Sequence, residues 1–209
     1  MKENKKNEIL CIDSDYDEET KYSKDIRNQY LYKILEEKEF ILNKIDSSNL
    51  NDTEKIRNRQ ISYITGSGHG NESNFFIQKD KTILSTDKNL IDIKDKVIHL
   101  FACLTAINLG ENLVKNGAKA FIGYSREIPV VGEEAGTPIF CDYQIDIALS
   151  EGKNVEQAYQ TAYDTFTQHI KIHKDKKNMS FAAALTRLRN NLCSPVTNPK
   201  YGDKNARIG

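Results

Sequence analysis

Two residues able to do nucleophilic chemistry stand 34 positions apart in this chain. His69 lies between Gly68 and Gly70, and Cys103 follows Ala102 at the end of an apolar run that starts at Lys96. A thiol attacks as its thiolate, and a histidine within reach manages the proton. The flanking glycines let a ligand's backbone come close. The Gly70 and Cys103 amides could then face a developing oxyanion, a large electrostatic contribution in acyl transfer. Cys11, Cys141 and Cys193 have no comparable neighbour and read as small core residues. The four cysteines are scattered, with no CxxC pair, so neither a disulfide framework nor a zinc site is indicated.

Other polar clusters read more plainly. His99 sits inside the apolar run and reads as a hydrogen-bonded core histidine. His169 and His173 have the i, i+4 spacing of metal ligands, but no glutamate follows His169 and lysines surround both, which predicts a solvated helix face. Asp13, Asp15 and Asp17 alternate as in a calcium loop. Glu18, however, stands where the turn glycine belongs, and Lys24 takes the place of the last ligand. Read from its residues alone, this acidic stretch is a solvated loop. No metal or cofactor is called for.

These groups need elements to bring them together. Glu8 to Ile12, Phe40 to Ile45, Ile61 to Ile64, Lys96 to Ala102 and Ala118 to Tyr124 read as strands, with a small hairpin over 75–84. Helices are predicted at about 22–38 (Ile26, Tyr30, Ile34 and Leu35 in phase), 106–116, 138–150, 154–173 and 179–192. A short helix capped near Asn51 or Asp52 and a last strand at Ala206 to Ile208 complete the pattern. Strands alternating with helices imply an α/β fold with a mostly parallel sheet and helices on both faces. In such a sheet the reactive crevice lies outside the carboxyl ends of the strands, where His69, Cys103, Asp13 and Asp15 all fall.

The 209 residues predict one domain over 1–209, with 1–7 expected to be flexible. Thirty basic and thirty acidic residues give no net charge, which speaks against nucleic acid as a partner. No apolar run approaches the roughly 18 residues of a membrane span. The lysine-bearing start, Met1 to Asn7, leads into only four apolar residues, Ile9 to Ile12, too few for a secretory signal. These features predict a cytoplasmic protein that does not associate with membranes.

His-Gly and Ala-Cys ending successive strands, the block Gly117 to Ser125 (GAKAFIGYS) and the closing Tyr201 to Ile208 (YGDKNARI) resemble the caspase-like clan of cysteine peptidases, chiefly its gingipain and CHAT branch. The resemblance runs from Glu8 to Ile208. Two departures set the chain apart from caspases proper: the Q-A-C-x-G pattern is absent, and the His-to-Cys interval is shorter than the roughly 50 residues of caspases. The resemblance implies a three-layer caspase-like fold and a cysteine endopeptidase acting on a protein or peptide substrate, with a separate activating or regulatory protein as a further partner. It makes Cys103 the nucleophile, His69 the acid and base, and Gly70 with the Cys103 amide the oxyanion donors. It also places Asp13, Asp15, Tyr124, Ser125 and Glu133 at the substrate, with the loop from Tyr124 to Val131 as a wall of the cleft. A carboxylate in the pocket, Asp15 or Asp13 before Glu133 or Glu134, predicts cleavage after Arg or Lys, with Asp17 left in solvent and Arg126 as the competing cation. The alternative is a non-catalytic interaction module in a larger assembly. A Rossmann-type nucleotide binder lacks its GxGxxG.

Overall fold

The computed structural model describes residues 8–49, 61–79, 81–129 and 134–208. Its strands are β1 (Glu8–Asp13), β2 (Ile41–Ile45), β3 (Ile61–Ser67), the two-residue β4 (His69–Gly70), β5 (Asn74–Gln78), β6 (Lys81–Ser85), β7 (Val97–Phe101), β8 (Ala120–Tyr124) and β9 (Leu192–Cys193). The central sheet runs β2-β1-β3-β7-β8-β9. The first five of these are parallel, and β9 closes the edge antiparallel to β8. A separate antiparallel sheet, β4-β5-β6, grows out of the end of β3 and contains the expected hairpin.

Residues of β1, β3, β7 and β8 alternate between two apolar layers, so these four strands are buried on both faces. Ile9, Cys11, Tyr63, Val97, Phe101, Ile122 and Tyr124 face one layer. Leu10, Ile12, Ile64, Ile98, Leu100 and Phe121 face the other. The first layer is covered by α1 (Glu18–Ile26), α2 (Tyr32–Glu37), α4 (Gly136–Asp142), α5 (Gln144–Ser150), α6 (Val155–Asp175) and α7 (Met179–Asn191). The second is covered by the β4-β5-β6 sheet and α3 (Leu109–Lys115). This is the mixed α/β, mostly parallel, helix-flanked architecture that the pattern predicts.

Several boundaries differ, each for a local reason. The first helix starts at Glu18 because Asp17 caps it: its side chain accepts from the Thr20 amide while the Thr20 hydroxyl faces the Asp17 backbone. A π-helical turn, Arg27–Leu31, then joins α1 to α2 and shifts the phase by one residue. Tyr30, expected on the apolar stripe, is therefore 49% exposed, and Leu31, Tyr32 and Arg27 turn inward. The helix predicted over 138–150 breaks at Tyr143 into α4 and α5. The C-terminal residues 206–208 form no strand. Ala206 and Ile208 are buried coil against the helical layer, and the added strand is β9 instead. His173 is buried rather than solvated, packed on Phe181 and facing Glu134. The helix expected near Asn51 lies outside the described residues, as do residues 1–7.

Candidate active site

The two candidate residues sit at the carboxyl edge of adjacent strands. β3 pairs with β7 from Tyr63↔Val97 to Ser67↔Phe101, so the chain leaves both strands side by side. From β3 it passes Gly68 into β4, which carries His69. From β7 it passes Ala102 to Cys103. Glycine is required at position 70 by close approach: a Cβ there would lie 2.5 Å from the Cys103 carbonyl oxygen and 2.7 Å from the Thr105 methyl. Leu104 holds the turn after the thiol with φ +62°, a conformation that costs a non-glycine residue roughly 1 kcal/mol. Its amide bonds the Arg126 carbonyl at 3.3 Å, and the Ala106 amide bonds the Tyr124 carbonyl at 3.0 Å, so the turn is fixed to the exit of β8.

His69 and Cys103 line one cavity of about 200 Å³ with Glu19, Thr20, Ser23, Ser67, Gly68, Phe101 and Ile128. The Cys103 thiol is half-buried and accepts the Ile128 amide at 3.3 Å. Burial pushes its pKa up, as does the Glu127 carboxylate, while the Ile128 N–H opposes the rise. The resting sulfur is therefore a protonated thiol at neutral pH and needs a base at the moment of attack. His69 is exposed, and its Nε2 lies 2.5 Å from Asp17 Oδ2. An N–H on Nε2 donated to Asp17 leaves Nδ1 as the basic nitrogen. Burial would raise the Asp17 carboxyl, but the bonds from His69 and Thr20 outweigh it and hold the pKa below the usual range.

No family model matches the chain, and no curated protein sequence is similar to it. Solved structures are. The chain matches the complex of Porphyromonas gingivalis RgpB pro- and mature domains at 12% identity and TM-score 0.56, covering 96% of this chain and 48% of that one. The Arg specific cysteine proteinase gingipain R (RgpB) matches at 13% identity and TM-score 0.55, over 96% and 47%. A structure described as a protease matches at 14% identity and TM-score 0.63, over 96% and 48%. The chain has the caspase-like fold of the gingipains. It spans about half the length of each of these structures, and at such identities the likeness concerns the fold.

The gingipain fold brings His69, Gly70 and Cys103 together, but not the residues expected to bind substrate. Asp13 is only 4% exposed; its carboxylate pairs with Arg27 Nε at 2.9 Å and accepts the Tyr32 hydroxyl. Asp15 is held by Lys24 at 2.7 Å and by the Ser47 hydroxyl, away from the cavity. Tyr124 is buried, its hydroxyl donating to Asp142 at 2.7 Å, because it ends a strand covered on both faces. Ser125 is tied to the Asn191 carbonyl through both its amide and its hydroxyl. Glu133 lies outside the described residues. Glu134 faces His173 and Asn178, and Arg126 lines a neighbouring cavity with Arg187 and Pro129. Of the expected cleft wall, Ile128 is the described residue that reaches the thiol.

Asp17, expected in solvent, is instead the partner of His69. The available signal was an aspartate immediately before a helix whose first turn is acidic, which marks an N-cap and hence a fixed position. Two groups bring three ligand-type atoms within 4.8 Å among the described residues: Asp17, Glu19 and His69, and His99, Asp142 and Asp146. In the second, His99 Nε2 faces Asp142 at 3.1 Å and Nδ1 faces Asp146 at 3.3 Å. A carboxylate facing each ring nitrogen favours the doubly protonated imidazole, which has no lone pair to offer a metal.

Proposed function

We propose that this chain is a cysteine endopeptidase in which Cys103 attacks the substrate carbonyl and His69 handles the proton. The observation that carries the reading is one cavity, at the carboxyl edge of a gingipain-type sheet, lined by both side chains with Gly70 packed on the Cys103 carbonyl. His69 takes the thiol proton as the sulfur bonds the scissile carbon. The carbonyl electrons move onto oxygen, opposite the Gly70 and Cys103 amides. Collapse of that adduct expels the amine, which leaves with the proton from His69. Water, deprotonated by the same imidazole, then releases the acid and restores the thiol.

Asp17 is a positioning residue in this scheme: it fixes the His69 tautomer and supports the imidazolium. The basic preference expected from Asp13 and Asp15 is not carried forward, because both carboxylates are engaged elsewhere. The unpaired thiols suit a reducing, cytoplasmic setting, and an activating protein remains part of the proposal.

An electrophilic peptide ketone tests the assignment. Mass spectrometry is expected to find the adduct on Cys103 and not on Cys11, Cys141 or Cys193. Cys103→Ala and His69→Ala are expected to abolish cleavage of an unfolded protein substrate while the far-ultraviolet spectrum is kept. Cleavage by Cys103→Ala equal to the parent would overturn the assignment, and absence of an adduct would favour the interaction-module alternative.

A further inference from the structure

We infer that the pocket beside Cys103 takes an uncharged side chain from the residue before the scissile bond, so that neither Arg or Lys nor Asp is the preferred residue. The inference rests on the peptidase reading and specifies its substrate. The side chain next to the attacked carbonyl must occupy the cavity that opens beside the sulfur, and its lining is unequal in exposure. Thr20, Ser23, Ser67 and Phe101 are buried, Ile128 is half-buried, and Glu19 and His69 are exposed. The enclosed part therefore consists of three hydroxyls and an aromatic ring, with an isoleucine beside the sulfur.

None of these enclosed groups carries charge. Ser23 Oγ and Ser67 Oγ share a hydrogen bond of 2.5 Å, and the Thr20 hydroxyl is turned to Asp17 at 2.8 Å. One serine hydroxyl donates to the other, which leaves a single O–H able to meet a carbonyl or hydroxyl of the ligand. Asp13 pairs in register with Ser67 and is the nearest buried carboxylate along the chain, but Arg27 and Tyr32 occupy it. Among the described residues, a guanidinium or ammonium entering here would shed water without gaining a buried counter-ion, and a carboxylate would find no buried cation. Glu19 stands in solvent at the mouth, where screening limits it to a weak pull on a passing cation.

Peptidyl acyloxymethyl ketones that differ only in the residue next to the ketone read this directly. The thiolate displaces the carboxylate leaving group, forming one C–S bond that intact mass reports. Probes carrying Asn, Gln, Thr or Leu are expected to label Cys103 at least tenfold faster than those carrying Arg, Lys or Asp. Ser23→Asp, which puts a carboxylate in the enclosed part, is expected to raise the Arg-to-Gln ratio at least tenfold, and Glu19→Gln to leave the parent ratio within twofold. Fastest labelling by Arg, Lys or Asp would overturn the pocket assignment while leaving the nucleophile standing. Labelling of Cys103 by none of the probes would overturn the peptidase reading itself.

Discussion

Asp17 caps α1 with one carboxylate oxygen and holds His69 with the other, so substitutions there can separate two effects. Asparagine keeps an oxygen for the Thr20 amide and is as good a cap as aspartate. Its amide nitrogen, however, cannot accept from His69 Nε2, and it favours the tautomer that lacks a basic Nδ1. Asp17→Asn is therefore expected to lower kcat/KM by at least tenfold with stability nearly unchanged. Replacing a fully buried triad carboxylate this way costs about 10⁴; Asp17 is partly exposed, so its effect is smaller. Asp17→Ala should lose the same activity and a further ~1 kcal/mol of stability with the cap. Steady-state kinetics beside thermal melts check both, and full activity in Asp17→Asn would remove the positioning assignment.

At the scale of elements, the site depends on how closely β4 approaches the turn after β7. Gly70→Ala places a methyl group against backbone and the Thr105 side chain, neither of which can yield freely. The two segments must part, at a cost of roughly 1–3 kcal/mol. His69 and Cys103 keep their chemistry but not their alignment, so labelling of Cys103 by a peptide ketone is expected to fall at least tenfold in a folded protein. Unchanged labelling would show that the approach is incidental. These strand ends were legible in the sequence because β1, β3, β7 and β8 are buried on both faces and read as predominantly apolar blocks. Cys103 was legible because it directly follows such a block, and His69 because it stands between two glycines a few residues past another. The pocket was not. Asp13 and Asp15 sit beside it along the chain, but Lys24 on α1 holds Asp15, and Arg27, which opens the π turn, holds Asp13, a turn that a 3.6-residue period does not anticipate. Thr20, Ser23 and Ser67 gave no signal because lone hydroxyl residues are common in helices and strands alike.

At the scale of the whole molecule, one buried ionic cluster links the strands that carry the site. Arg27 reaches Asp13 at the end of β1 and Thr65 on β3, the latter at 2.7 Å. His99 on β7 lies between Asp142 of α4 and Asp146 of α5, with the Tyr124 and Tyr63 hydroxyls each donating to one of these carboxylates at 2.7 Å. Burial would lower the His99 pKa, but the Asp142 and Asp146 carboxylates outweigh it and raise it from 6.5 to about 9. Burial would likewise raise Asp146, yet His99 and Arg27 hold it at about 2. A group whose pKa rises on folding stabilises fully below its unfolded value and loses that contribution as pH climbs through the folded one. His99 therefore stabilises the protein below pH 6.5, and the benefit drains away up to about pH 9; at about 1.4 kcal/mol per pKa unit it is on the order of 3 kcal/mol. Asp146 acts in the opposite sense: its contribution is present above its ordinary pKa and lost as pH falls towards 2. The expected melting curve falls between pH 6.5 and 9. The chain has no Trp, so calorimetry or far-ultraviolet dichroism is the measurement. His99→Gln should melt lower than the parent at pH 6 and lose the alkaline decline. A parent melting temperature as high at pH 9 as at pH 6 would mean that His99 is neutral in the folded protein and that another proton holds the two aspartates together.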